Sequence, residues 1–151
     1  MRRREREITD RAEIEAILAE ATVCRIGLSD GHEPYVVPLS FGYEGGTVYL
    51  HAAHEGKKID LIRKNPRCCF ETDICDRLVK GDNPCSWGMR YRSVIGSGNA
   101  EILADPEEKR HGLTCIMQHY GGAPHDFSEK DLDAVTVIRI RLDSVTGKKH
   151  A

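Results

Sequence analysis

Apolar and polar positions along the chain alternate in short runs, separated by glycine and proline and by a few stretches of helical spacing. After the charged start MRRREREITD, apolar residues recur at Ile14, Ile17, Leu18 and Ala21, which predicts an amphipathic helix. Asp10 reads as its N-cap, and Glu13 three residues later as the second half of a capping box. Strands are predicted over Thr22 to Leu28, Tyr35 to Tyr43 and Thr47 to Ala53, the last two joined by a Glu44-Gly45-Gly46 turn. In the second strand Tyr35, Val37, Leu39, Phe41 and Tyr43 share one face, and Val36, Pro38, Ser40 and Gly42 the other. Pro38 has no N–H to give a ladder, so this strand is expected to be irregular there or paired on one side only. Lys57 to Lys64 reads as a short helix stopped by Asn65-Pro66, and Arg67 to Thr72 as a fourth strand.

The segment from Asp73 to Arg92 shows no clear period and reads as a long irregular connection of the kind used for function or subunit contact. Ser93 to Leu103 is a strand whose Gly96 and Gly98 predict a bulge or a close backbone approach. Asp105-Pro106 starts a helix with Leu113, Ile116, Met117 and Tyr120 as its apolar face and Gly121-Gly122 as its stop. A helical turn over Ser128 to Asp133 precedes a last strand over Ala134 to Leu142, with Ile138, Ile140 and Leu142 opposite Arg139 and Arg141. These elements predict a mainly β fold, a small β-barrel with peripheral helices, as one domain over residues 1–151 with 1–7 as a flexible arm.

Composition narrows the function. A net charge of −2 argues against a general nucleic-acid-binding surface. No run resembles a membrane span or a signal peptide, so no membrane partner is expected. Six cysteines with no C-x-x-C spacing read as reduced thiols in a cytoplasm, without a metal site.

Lys57 and Lys58 follow Gly56 at a helix start, where the backbone already carries partial positive charge. Such a pair suits a bound anion such as a phosphate, or is a solvated surface pair. Neither a P-loop nor a dinucleotide-binding glycine motif is present. His51, on a strand face with Tyr49 and Ala53, is either a structural histidine or a contact to a bound ring or substrate. His54 is an exposed residue or a third donor to the anion. The WGMRYRS segment alternates aromatic and cationic residues, so Trp87 and Tyr91 are candidates for substrate stacking, subunit contact or plain packing.

Two segments, VCRIGLSDGHEPYVVPLSFGYEGGTVYLHAAHEGKKIDLIRKNPRCCFE and CSWGMRYRSVIGSGNAEIL, resemble the FMN-binding split β-barrel proteins related to pyridoxamine 5′-phosphate oxidase, and within them the nitroimidazole-reductase-like group. The resemblance implies a homodimer with FMN in clefts between subunits. It implies FMN phosphate at Lys57 and Lys58, and the flavin ring against Val37, Pro38, Leu39 and Ser40. It further places His51 and Ala52 beside the ribityl chain or ring, and has Ser93 reach the flavin of the opposite subunit. The basic residues that the oxidases carry on the second strand, and their basic C-terminal substrate segment, are missing, which argues against pyridoxamine phosphate oxidation. The expectation is therefore an FMN-dependent oxidoreductase that takes electrons from NAD(P)H or another reductant and reduces a small molecule, a nitroaromatic such as a nitroimidazole being the candidate, with His51 as catalytic residue. The rival expectation is a non-catalytic flavin- or haem-binding or sensor protein.

Overall fold

A computed structural model describes residues 3–150. Eight strands form one sheet, every pairing antiparallel: β1 (Glu7–Ile8), β2 (Cys24–Ser29), β3 (Pro34–Leu39), β4 (Gly42–Glu44), β5 (Thr47–Ala52), β6 (Arg67–Val79), β7 (Gly88–Ile102) and β8 (Thr136–His150). They run in the order β3-β2-β6-β7-β8-β5-β4, with β1 added to β8. Helices α1 (Arg11–Glu20), α2 (Lys57–Lys64), α3 (Pro106–His119) and α4 (Glu129–Asp133) complete the fold. The two end strands, β3 and β4, are consecutive in the chain but have no ladder between them, so the curled sheet is a barrel with a split.

The barrel core follows the predicted alternation. Ile26, Phe41, Leu50, Phe70, Val94, Ile138 and Ile140 are all essentially fully buried, and Ile17 and Leu18 of α1 join the same cluster. A second cluster lies between α3 and the outer side of β5 and β8, built from Tyr49, Leu113, Ile116 and Val137. Met117 and Tyr120, predicted for the same helix face, are each 42% exposed.

Several expectations change in the structure. The charged start is not a free arm over its described part: Arg4–Arg6 form a 3-10 turn, and Glu7 and Ile8 pair with Lys148 and Gly147 of β8. The physical reason is Ile8, which is 4% exposed and needs a core contact that the arginines around it conceal. Met1 and Arg2 of the predicted arm lie outside the described residues. Asp10 caps α1 as expected, accepting from the Ala12 N–H at 2.9 Å. Glu13 does not complete a box; its carboxylate takes the Lys149 ammonium at 2.7 Å.

The segment from Asp73 to Arg92 is no irregular connection. It extends β6 and β7 into a long hairpin paired as far as Val79 and Gly88. A bulge between Cys75 and Arg77 shifts the alternation, and Leu78 and Met89 are half exposed, so no hydrophobic period marks these strands. The strand predicted for Ala134 to Leu142 likewise continues to His150, because β7 and β1 flank its polar second half. Gly98 fulfils its prediction. The β7–β8 register shifts between Ser97 and Gly98, and a Cβ on Gly98 would lie 2.3 Å from the Arg141 carbonyl oxygen.

Candidate functional site

The predicted strand from Tyr35 to Tyr43 breaks at Ser40 and Phe41. The Phe41 N–H donates to the Tyr120 hydroxyl at 3.0 Å, and that hydroxyl donates to the Thr22 carbonyl at 2.7 Å. One phenol from the end of α3 thus holds the crossing between β3 and β4. Burial raises the Tyr120 phenol above its usual pKa, which keeps it protonated and able to donate. β3 itself is an end strand paired only with β2, so Pro38 sits where its missing N–H costs least and the other edge of the strand is open.

The four β3 residues expected at a flavin ring divide by face. Val37 and Leu39 pack against the barrel core, while Pro38 and Ser40 are exposed. A planar ligand on this strand therefore meets backbone, the proline ring and the serine, not the two aliphatic side chains. The Ser40 hydroxyl and His51 Nε2 approach to 3.5 Å, which brings β5 beside the open edge of β3. His51 is exposed and Ala52 half-buried.

β5 leads to Gly56, whose φ of +129° belongs to the region open to glycine, and then to α2. α2 has no side-chain cap, so its first N–H groups meet no side-chain acceptor at Gly56. Lys57 lies over the Tyr35 ring, 5.0 Å from its centre, and loosely faces the Glu33 carboxylate at 3.7 Å. Lys58 is half-buried, and this burial lowers its pKa. Among the described residues no carboxylate pairs with Lys58. An uncapped helix start with a half-desolvated, uncompensated ammonium fits the chemistry of a phosphate.

His54 belongs to the structure rather than to this cradle. Its Nε2 lies 2.7 Å from the Asp133 carbonyl and its Nδ1 3.0 Å from the Thr136 hydroxyl. The carbonyl can only accept, so Nε2 carries a proton, and both ring nitrogens are engaged in tying the loop to the α4–β8 junction. Ser93 is not brought to the cradle along the sheet. It sits on β7 between Asp73 and Lys148, with β6 and β2 separating it from β3. Its hydroxyl donates weakly to the Lys148 carbonyl at 3.4 Å. Trp87 is 50% exposed beside the hairpin turn, with its indole N–H on the Gly81 carbonyl at 2.9 Å and the Lys80 ammonium over its ring. Tyr91 is half-buried between His150 and Lys148. Neither Glu33 nor Tyr120 was predicted at this site from the residue pattern. The only available signals were an acid at a hairpin turn and a tyrosine at a helix end, and both are common.

The fold is a split antiparallel barrel with a cationic helix start, free of any side-chain cap, next to an end strand. The chain belongs to the pyridoxamine 5′-phosphate oxidase family, whose model matches residues 10–149. It is similar to a protein of Bacteroides thetaiotaomicron provisionally named a 5-nitroimidazole antibiotic resistance protein, with 38% identity over 95% of this chain and 86% of that one, and a TM-score of 0.85. It is also similar to an FAD-binding protein of Mesorhizobium loti, at 25% identity over 97% of this chain and 98% of that one, with a TM-score of 0.71. An FAD- and haem-binding protein of Mycobacterium smegmatis shares the fold, at 19% identity over 95% of this chain and 73% of that one, with a TM-score of 0.86. An uncharacterized protein of Rhizobium meliloti matches at 28% identity over 64 residues, 42% of each chain.

Proposed function

We propose that the protein is an FMN-dependent oxidoreductase that reduces a small aromatic substrate, a nitroaromatic such as a nitroimidazole being the best candidate. The observation that carries this reading is that the uncapped start of α2 sets Lys57 over the Tyr35 ring of β3, an end strand with one open edge, while Ser40 just past that strand approaches His51. Family membership and the similarity to the Bacteroides protein support it.

In this reading Lys57, Lys58 and the first N–H groups of α2 hold the FMN phosphate. Backbone at the open edge of β3, with Pro38 and Ser40, lies along the ring. The bound flavin supplies the redox chemistry and the protein supplies orientation and a shielded pocket. His51 is exposed next to Ser40, free to hold or deliver a proton to a substrate stacked above the ring.

The proposal includes a homodimer. The outer face of the sheet exposes Val36 and Ile95 at 65% and 49%, and Leu78, Trp87 and Met89 continue this apolar surface along the hairpin. A second copy covering it would bring Ser93 and Tyr91 toward the partner's cleft. All six cysteines are unpaired, which suits a reducing cytoplasm. Among the described residues no helix is long and apolar enough to cross a membrane.

The purified protein tests the reading directly. Flavin absorption that bleaches with NAD(P)H and recovers on addition of a nitroimidazole is the expected result, and His51→Ala should slow the recovery while leaving flavin bound. A Soret band, or a colourless protein indifferent to added FMN, defeats the proposal.

A further inference from the structure

The β6–β7 hairpin outruns β8, whose pairing with β7 ends at Tyr91 and His150. Its remaining rungs, Arg77–Arg90, Leu78–Met89 and Val79–Gly88, form a two-stranded arm. The first rung sets two arginines directly opposite each other. Like charges in this position destabilise a strand pair. Elsewhere on the same hairpin such charge is neutralised: Arg92 holds Glu20 and Asp76, both at 2.7 Å. That leaves Asp76, the acid at the bulge, engaged. Among the described residues no carboxylate pairs with Arg77 or Arg90. Arg90 Nε is also the one buried side-chain nitrogen or oxygen among the described residues that lacks a hydrogen-bond partner. A buried donor left in this state is costly.

We propose that Arg77 and Arg90 form an anion site for a phosphate group of a small molecule, separate from the cradle at Lys57 and Lys58. Two guanidinium forks present paired N–H donors matched to tetrahedral oxyanions. Their combined charge favours a dianion, and a phosphate monoester carries about −1.5 to −2 at neutral pH whereas a carboxylate carries one charge. The arm's other face, with Leu78 and Met89 half exposed, is apolar, so the anion is bound on the arginine side alone.

The test is a titration of the full chain with inorganic pyrophosphate, followed by the Nε–H resonances of its arginines. The Arg90 resonance is expected to shift saturably, and acetate at equal ionic strength to leave it in place. Arg77→Gln, at an exposed position, should weaken binding about tenfold or more, equivalent to about 1.4 kcal/mol. Arg90→Lys should recover only part of the affinity of the parent, since an ammonium lacks the fork. The Lys57→Ala/Lys58→Ala variant should bind pyrophosphate on the arm unchanged, which separates this site from the flavin cradle. No saturable shift, an equal response to acetate, or loss of binding in the lysine variant with Arg77→Gln unaffected overturns the proposal.

Discussion

Tyr120→Phe removes a single oxygen, and the structure sets the size of its effect. The hydroxyl accepts from Phe41 N–H and donates to Thr22 C=O. Phe41 is fully buried, so its N–H loses its only acceptor in a place closed to water. Thr22 is exposed, so its carbonyl regains a water at little cost. The ring itself remains against His119, 5.0 Å between centres, so packing is preserved. One orphaned buried donor costs about 1–3 kcal/mol. For a domain of this size each kcal/mol lowers the melting temperature by about 2–4 °C, so Tm should fall by roughly 2–12 °C. Thermal unfolding followed by circular dichroism measures it. Because the same bond fixes the crossing that carries Ser40 to His51, flavin affinity should fall as well. A Tm within about 1 °C of the parent would refute the reasoning, since it would mean that water or a shifted backbone satisfies Phe41 as well as the phenol does.

Three further outcomes follow from packing and charge. Gly98→Ala drives a methyl group into the Arg141 carbonyl, a backbone atom that cannot swing away, and should cost about 1–3 kcal/mol or more in urea unfolding. Cys24, Cys68 and Cys115 are buried, with burial raising their thiols to about 12, 11 and 11, so they should resist a thiol reagent at neutral pH until the chain unfolds, while Cys69, Cys75 and Cys85 are open to it in the single chain. Arg92 holds the Glu20 and Asp76 carboxylates below their usual pKa. With folded values depressed, this clamp between α1 and the hairpin contributes above the unfolded carboxylate values of about 4 and is lost as pH falls through the folded ones, so Trp87 fluorescence should report loosening of the arm only in acid, below about pH 4.

Most of the barrel was legible because its strands turn an apolar residue to the core at every second position, as Ile26, Leu50, Ile138 and Ile140 do, and because the Asp105-Pro106 helix start announces itself in local chemistry. The hairpin arm and the second half of β8 were not legible, since their pairing is backbone to backbone and their side chains carry no buried period. The break at Ser40 was hidden for a different reason: it depends on Tyr120, 79 residues away from Phe41. At the site, Gly56-Lys57-Lys58 and Pro38 could be read as features. That Lys57 lies over Tyr35 of β3 and that Ser40 approaches His51 are tertiary facts, and that Val37 and Leu39 face the core follows from the register of β3 on β2.

The central claim is that Lys57 and Lys58 hold the phosphate of a flavin, and comparison of FMN with riboflavin tests it most directly, because the two differ only in that phosphate. The parent protein should bind FMN at least tenfold more tightly than riboflavin, a difference of about 1.4 kcal/mol or more. In Lys57→Ala/Lys58→Ala the two affinities should converge on the riboflavin value. Equal affinities in the parent, or an FMN preference that survives in the double variant, would contradict the account.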